Sequence, residues 1–259
     1  MTNPRSLYSR PTCYDAVFGG WTAQEFFFLL DCYHRFSPQP LRRVYEPAAG
    51  TGRLLAEFAR CGISTDGCDL DVRSSEYCIR RLSRFASASD IRIADMRFFR
   101  PSVKVNLAYS LISSFQHLLS EECAHAFLSS VSESLVAGGV FILGLQLTPE
   151  GGRSSEPEDW VGFRGQSKIS VRIESVRYNE DVRIDECAMK SVIHGPRRRS
   201  RFSEVLKFRT YTAKQIVKST RGIPGLELVG SYNFTYDINN PVALDRESKD
   251  TILVFRRRS

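Results

Sequence analysis

Up to about Pro40 the apolar residues recur at helical spacing, with turns at Gly19-Gly20 and Pro38. The run Phe26-Phe27-Phe28-Leu29-Leu30, bounded by Glu25 and Asp31, reads as the buried side of a helix and is too short to span a bilayer. From Arg43 the pattern alternates. Short apolar strands are expected at 43–46, 63–68, 91–94, 105–110 and 140–145. Amphipathic stretches lie between them. Leu54, Leu55, Phe58 and Ala59 mark a helix that Gly62 stops. Residues 74–85 form a second, with Tyr77, Ile79, Leu82 and Phe85 as inner positions. A third, 120–135, is N-capped by Ser120 and ended by Gly138-Gly139. Strands alternating with helices predict a parallel sheet wound on both faces.

The period changes after Leu145. A polar loop over 150–158 leads into 167–173, where apolar and polar residues alternate strictly, and two more strand-like runs follow around 182–192 and 203–208. These predict an antiparallel patch inserted into the wound domain. A helix at 212–220 and two strands, around 226–236 and 251–255, close the chain, with a reversal at Asn239-Asn240-Pro241. The expected fold is α/β: a doubly wound, mostly parallel seven-stranded sheet with an inserted antiparallel β patch. The expected divisions are an N-terminal helical cap over 1–42, a ligand-binding core over 43–149, a substrate-covering insert over 150–209, and a last helix and β-hairpin over 210–259.

Composition narrows the classes. At 259 residues, 42% hydrophobic and 25% charged, the chain suits one globular unit. Met1-Thr2-Asn3-Pro4-Arg5 carries a charge but no apolar stretch follows, so a secretory signal is not expected. Seven cysteines at irregular spacings, without a Cys-x-x-Cys pair, and only four histidines argue against a zinc site or a disulfide framework. No metal and no membrane are expected, and reduced thiols point to the cytoplasm. The net charge is +7, concentrated partly in Arg197-Arg198-Arg199 with Arg201 and in Arg256-Arg257-Arg258. Such tracts either meet phosphates or are solvated surface.

The chemistry centres on Glu46-Pro47-Ala48-Ala49-Gly50-Thr51-Gly52-Arg53. A strand, a tight small-residue turn and a helix start bring backbone close to a ligand and aim free N–H groups at it. Asp69, at the end of the next strand, stands where an acid meets ribose hydroxyls. Leu55 occupies the position of the third glycine of the dinucleotide fingerprint, which disfavours nicotinamide or flavin binding and a nucleotide-dependent oxidoreductase.

This segment resembles the first motif of class I S-adenosylmethionine-dependent methyltransferases, and the resemblance, in order, covers Val44 to Leu145. It implies a Rossmann-like methyltransferase fold and S-adenosyl-L-methionine as cofactor. Glu46, Ala48, Gly50, Gly52 and Arg53 would then cradle the methionine part. Asp69 and the adjoining Leu70 would meet the ribose and its surroundings, Asp95 and Met96 the adenine, and Ser110 the sulfonium end. Tyr14-Asp15-Ala16-Val17-Phe18 resembles the N-terminal segment that closes over the cofactor, making Tyr14 a cofactor contact or a core aromatic. The chain is most similar to small-molecule N-methyltransferases, those acting on amino sugars and glycine, through Asp95-Met96-Arg97-Phe98-Phe99 and Ser113-Ser114-Phe115-Gln116-His117-Leu118. Asp71 and Asn106 depart from that pattern. His117 is the candidate general base, or a structural histidine. Trp160 and Phe163 are candidate walls for the acceptor, or anchors of a loop. The implied reaction is in-line methyl transfer to a small-molecule amine or hydroxyl; the alternative is an RNA-binding or RNA-modifying protein on the same fold, using the arginine tract near Phe202 and Phe208.

Overall fold

The computed structural model describes residues 6–152 and 156–258. The extreme N-terminus and the middle of the 150–158 loop lie outside the described residues. Eleven strands form two sheets among them. The first sheet contains β1 (Arg43–Pro47), β2 (Ser64–Asp69), β3 (Ser89–Ile93), β4 (Val105–Ser110), β5 (Leu135–Gln146), β10 (Leu226–Asn233) and β11 (Asp250–Arg257). Their order is β10-β11-β5-β4-β1-β2-β3. All pairings from β3 to β5 are parallel, and β11 runs antiparallel to both neighbours. The expected doubly wound, seven-stranded sheet is present.

Alternation along the strands splits the core. Val44, Leu107 and Tyr109 face one side, with α2 (Thr22–Phe36), α3 (Arg53–Arg60) and α4 (Val72–Leu82). Tyr45, Ala108 and Phe141 face the other, with α5 (Glu121–Ser134) and α6 (Ala213–Arg221). Ser120 caps α5 by accepting from the Cys123 N–H at 3.2 Å, and Thr212 and Gln215 make a reciprocal capping box on α6. No helix among the described residues is long and apolar enough to cross a membrane.

Within the wound domain two local expectations fail. α4 starts earlier, capped by Asp71, and ends at Leu82; it buries Ser74, Ser75, Cys78 and Leu82, while Ile79 is exposed. The inner face is made of small residues because α4 packs close to the glycine turn: a Cβ on Gly52 would fall well inside contact with the Cys78 sulfur. Gly138-Gly139 does not end a helix. α5 stops at Ser134 and β5 begins at once, with Gly138 at φ +75° beside a register shift in the β4–β5 pairing.

The second sheet, β6-β7-β8-β9, is antiparallel throughout: β6 (Glu158–Arg164), β7 (Ser167–Asn179), β8 (Ile184–His194) and β9 (Arg199–Arg209). It is the inserted patch, and it contains one strand more than the alternation predicts. Trp160 and Phe163 lie on β6, not on a loop. One face is covered by α1 (Pro11–Phe18) and the residues before it: Leu7 and Val17 pack on Ile169, Val171 and Met189 in a third core. The N-terminal region therefore has two parts, α1 on the insert and α2 on the main sheet, joined by a 3-10 turn at Gly19–Trp21.

Candidate functional site

The strand order reverses between β1 and β4, and ligands of wound sheets bind beyond the carboxyl ends of the strands at such a switch point. The chain leaves β1 through Ala48 (φ +54°), Gly50 (φ +53°) and Gly52 (φ +65°), a sharply turned path ending at the start of α3. A Cβ on Gly50 would meet only the Asp69 carboxylate, at 4.0 Å, so the turn presents a largely open surface. The Gly50 N–H donates to Asp69 Oδ2 at 2.8 Å and the Asp71 N–H to Oδ1 at 2.8 Å. Burial outweighs these bonds and raises the Asp69 pKa above the carboxylate norm.

Leu55 is fully buried. The close helix–strand approach that a third glycine would allow is made from the strand: a Cβ on Gly67 would lie 3.0 Å from the Ala49 Cβ and 3.1 Å from Leu55 Cδ1.

Glu46 sits beneath the turn. Burial lifts its carboxyl pKa to about 8, against the pull of Arg53 and of a hydrogen bond donated by the Tyr109 hydroxyl at 3.2 Å. Burial would lower the Arg53 pKa, but its bond to the Glu25 carboxylate prevails and raises it. Arg53 also donates to Thr22 Oγ1 at 3.0 Å, and the Tyr236 hydroxyl donates to Glu25 at 3.2 Å. Tyr14 lies within the field of Arg53, Glu46 and Asp69, and burial pushes its phenol up to about 12. Tyr14, Glu46, Gly50, Arg53 and Asp69 are thus brought together from four elements.

Ser110 ends β4 nearly buried, and its Oγ has no hydrogen-bond partner. An unsatisfied buried hydroxyl beside the switch point fits a site that a polar ligand completes. Ile112 (φ +53°) and Ser113 (φ +60°) follow it in the left-handed region, a costly path for a β-branched residue. At the far edge, the Ala94 N–H donates to the Asp69 carbonyl at 3.1 Å. The Asp95 carboxylate is held by Arg97, through the backbone N–H at 2.9 Å and Nη2 at 2.6 Å, and this pairing lowers its pKa. Met96 is half-buried against the α5 side of the core, whereas Leu70 is 63% exposed.

His117 is held between rings. Its centroid is 4.7 Å from that of Phe208 on β9 and 6.0 Å from that of Tyr8. The rings packed on it desolvate the imidazole and lower its pKa against an opposing hydrogen bond with the Lys207 backbone, while the residue keeps an exposed edge. Tyr8 is 5.9 Å from Tyr14, Tyr14 is 4.8 Å from Phe18, and Phe18 is 5.7 Å from Trp160. An aromatic line therefore runs between core and insert from His117 to Trp160. Phe163 stands apart, 69% exposed.

Residues to which the sequence assigns no site role hold this arrangement. Asp15 accepts from Thr51 Oγ1 at 2.6 Å and pairs with Arg81, which also donates to the Thr51 carbonyl at 3.0 Å. These bonds tie α1 to the glycine turn. Ser9 donates to Asp71 at 2.6 Å, and Ser74 donates to the Tyr8 carbonyl at 2.8 Å. Asp71, a departure from the family pattern, thus has two uses: it caps α4 and latches residues 8–9. Tyr8, Glu25 and Tyr236 were equally out of reach, since only spatial proximity marks them. Among the described residues no three metal-ligating side chains gather.

No protein-family model and no curated protein sequence matches the chain. Solved structures do. The sugar N-methyltransferase KedS8 from Streptoalloteichus superposes with a TM-score of 0.73 at 16% identity, covering 93% of this chain and 90% of its own. DesVI from Streptomyces venezuelae gives 0.74 at 21% identity, covering 93% of each chain. An S-adenosylmethionine-dependent methyltransferase from Clostridium acetobutylicum gives 0.74 at 15% identity, covering 98% of this chain and 97% of its own. At such identities the likeness concerns architecture, and the architecture of this chain is the Rossmann-like methyltransferase fold with an inserted antiparallel sheet.

Proposed function

We propose that the protein is an S-adenosylmethionine-dependent methyltransferase acting on a small-molecule amine or hydroxyl. The observation that carries this reading is the open turn at Gly50, bonded to Asp69 at the switch point of the sheet. The fold neighbours support it, since they include sugar and amino pentose N-methyltransferases, one of them with S-adenosylmethionine bound.

S-adenosylmethionine, when bound, supplies a methyl group on a sulfonium, already activated for in-line displacement by an amine or hydroxyl. The protein's task is then alignment and exclusion of water. Asp69 accepts from ribose hydroxyls, and Leu70 offers an apolar surface next to them. Glu46, Ala48, Gly52 and Arg53 hold the methionine end, and Ser110, whose hydroxyl has no hydrogen-bond partner, serves the sulfonium end. Asp95 keeps acceptor capacity beyond its bonds to Arg97 and, with Met96, binds the adenine edge. Tyr14 closes the site from α1.

The acceptor enters from the side of the insert, along the line from His117 to Trp160. His117, between the Tyr8 and Phe208 rings at one end of that line, is the candidate base for the acceptor's proton. Phe163, on the outer face, is dropped from the acceptor wall. All seven cysteines are free thiols, which fits a cytoplasmic enzyme.

Mass spectrometry of the purified protein for co-bound S-adenosylmethionine or S-adenosylhomocysteine tests the reading, together with calorimetric titration by S-adenosylhomocysteine and NAD. Tight NAD binding without a response to S-adenosylhomocysteine would overturn it.

A further inference from the structure

We propose that the concavity between Arg10 and the start of β9 binds a phosphate group. The concavity measures about 570 Å³, and its walls include four arginines, Arg10, Arg198, Arg199 and Arg201, with Ser200 and the Phe202 ring. The Arg10 guanidinium lies over that ring, 4.8 Å from its centroid. Its Nε is buried and has no hydrogen-bond partner. A guanidinium stacked on a ring is held in one plane, and its terminal N–H groups form a fork suited to an oxyanion.

The charge here is uncompensated. Three other cations of the second sheet are paired: Arg172 with Asp159 at 2.9 Å, Lys207 with Glu186 at 2.9 Å, and Lys190 with Glu174. Among the described residues no carboxylate pairs with any of the four arginines, and none lines the concavity. The backbone adds donors. β9 is the outer strand and pairs only with β8, so alternate N–H groups of β9 point away from β8. The connecting loop is closed by the Gly195 N–H donating to the Arg198 carbonyl at 2.9 Å, which fixes the base of the arginine tract. Four positive charges exceed what one carboxylate neutralises, and they match a phosphate dianion with several acceptor oxygens.

The concavity adjoins the proposed active site through one helical turn. The Arg10 carbonyl accepts the Tyr14 N–H at 3.0 Å, so an anion held by Arg10 is anchored at the root of the helix that carries Tyr14. Phosphate binding itself does not depend on methyl transfer. The same chemistry has two sources, a phosphate carried by the methyl acceptor or a separate phosphate ligand.

Titration with inorganic phosphate and with pyrophosphate, followed by calorimetry and ³¹P NMR at constant ionic strength held with chloride, tests the site. Saturable binding is expected, weakened at least tenfold in the Arg198→Ala/Arg199→Ala/Arg201→Ala variant and in Arg10→Lys, which keeps the charge but loses the planar fork. Circular dichroism and melting of both variants check that they fold. An amino sugar and its phosphate ester, compared as methyl acceptors, separate the sources. A KM at least tenfold lower for the ester, abolished in the triple variant, places the phosphate on the acceptor; equal KM values with phosphate binding intact assign it to a separate ligand. Phosphate and pyrophosphate that bind no better than chloride would overturn the proposal. So would salt-sensitive binding of a single-stranded RNA, lost in the triple variant, without binding of either small anion.

Discussion

The carbonyl oxygen of Ala16 rests against Gly162, so close that a Cβ at position 162 would fall well inside van der Waals contact with it. This is where α1 meets β6, and it lets the helix carrying Tyr14 lie flat on the inserted sheet. Neither partner can yield, because both are backbone held by regular structure. Gly162→Ala should therefore destabilise the protein by about 1–3 kcal/mol, the usual cost of overpacking. It should also speed proteolysis within residues 6–18 and weaken S-adenosylhomocysteine binding. Gly19→Ala is the control, since a Cβ there meets nothing within 4 Å. Equal melting temperatures for the two variants would show that α1 does not depend on this contact.

Arg53 and Glu25 form an ion pair whose side chains are 11% and 2% exposed. Removing one partner of such a pair strands the other charge. Arg53→Met should cost about 3–5 kcal/mol in urea unfolding, because Glu25 keeps only the Tyr236 hydroxyl and loses its cation. The double variant Glu25→Gln/Arg53→Met should recover most of that loss. A double variant no more stable than the single one would mean that the guanidinium acts through packing rather than charge.

Asp69 has more than one task. Its carboxylate accepts from the backbone N–H groups of Gly50 and Asp71, so it orders the turn as well as serving the proposed ribose site. Charge-assisted bonds are worth roughly 1.5–3 kcal/mol each. Asp69→Ala should weaken S-adenosylhomocysteine binding at least about tenfold and lower the melting temperature of the free protein, since two N–H groups lose their acceptor. Asp69→Asn keeps one acceptor oxygen and should retain more stability than affinity. A folded Asp69→Ala variant with unchanged affinity would assign the ribose to another residue.

These positions differ in how far the sequence betrays them. The wound sheet was legible because strand and helix periods are local, and the glycine turn because its residue types are dictated by backbone path. The face of α4 was not: Ser74, Ser75 and Cys78 are inward because Gly52 brings α3 close, a tertiary fact that reverses the hydrophobic reading of Ile79. β6 was missed because Glu158, Asp159 and Arg164 make an edge strand look like a loop. The bonds by which Asp15, Arg81, Glu25 and Tyr236 tie the site together carry no local signal, since they join residues 28 to 211 positions apart.

Glu46 should make stability and cofactor binding depend on pH. Burial raises its folded-state pKa from an ordinary value near 4.5 to about 8. The sign follows from linkage. Below pH 4.5 both folded and unfolded chains hold the proton, and this residue's contribution to stability is fully present. Between 4.5 and 8 the unfolded chain gives up the proton while the folded one keeps it, so stability falls as pH rises, and the loss is complete above 8. Glu46→Gln cannot ionise, and its melting temperature should decline less over that window. Cofactor binding should act in the opposite direction. S-adenosylmethionine brings an ammonium and a sulfonium, and cations near a buried carboxyl favour its ionised form. Binding at pH 7 should therefore release a proton, and affinity should rise as pH approaches 8. Calorimetry in HEPES and in Tris, whose ionisation enthalpies differ, reads that proton directly. The apparent binding enthalpy should differ between the two buffers for the wild type and converge for Glu46→Gln. Equal enthalpies for the wild type in both buffers would mean that Glu46 is already ionised before the cofactor arrives, and that Arg53 outweighs burial.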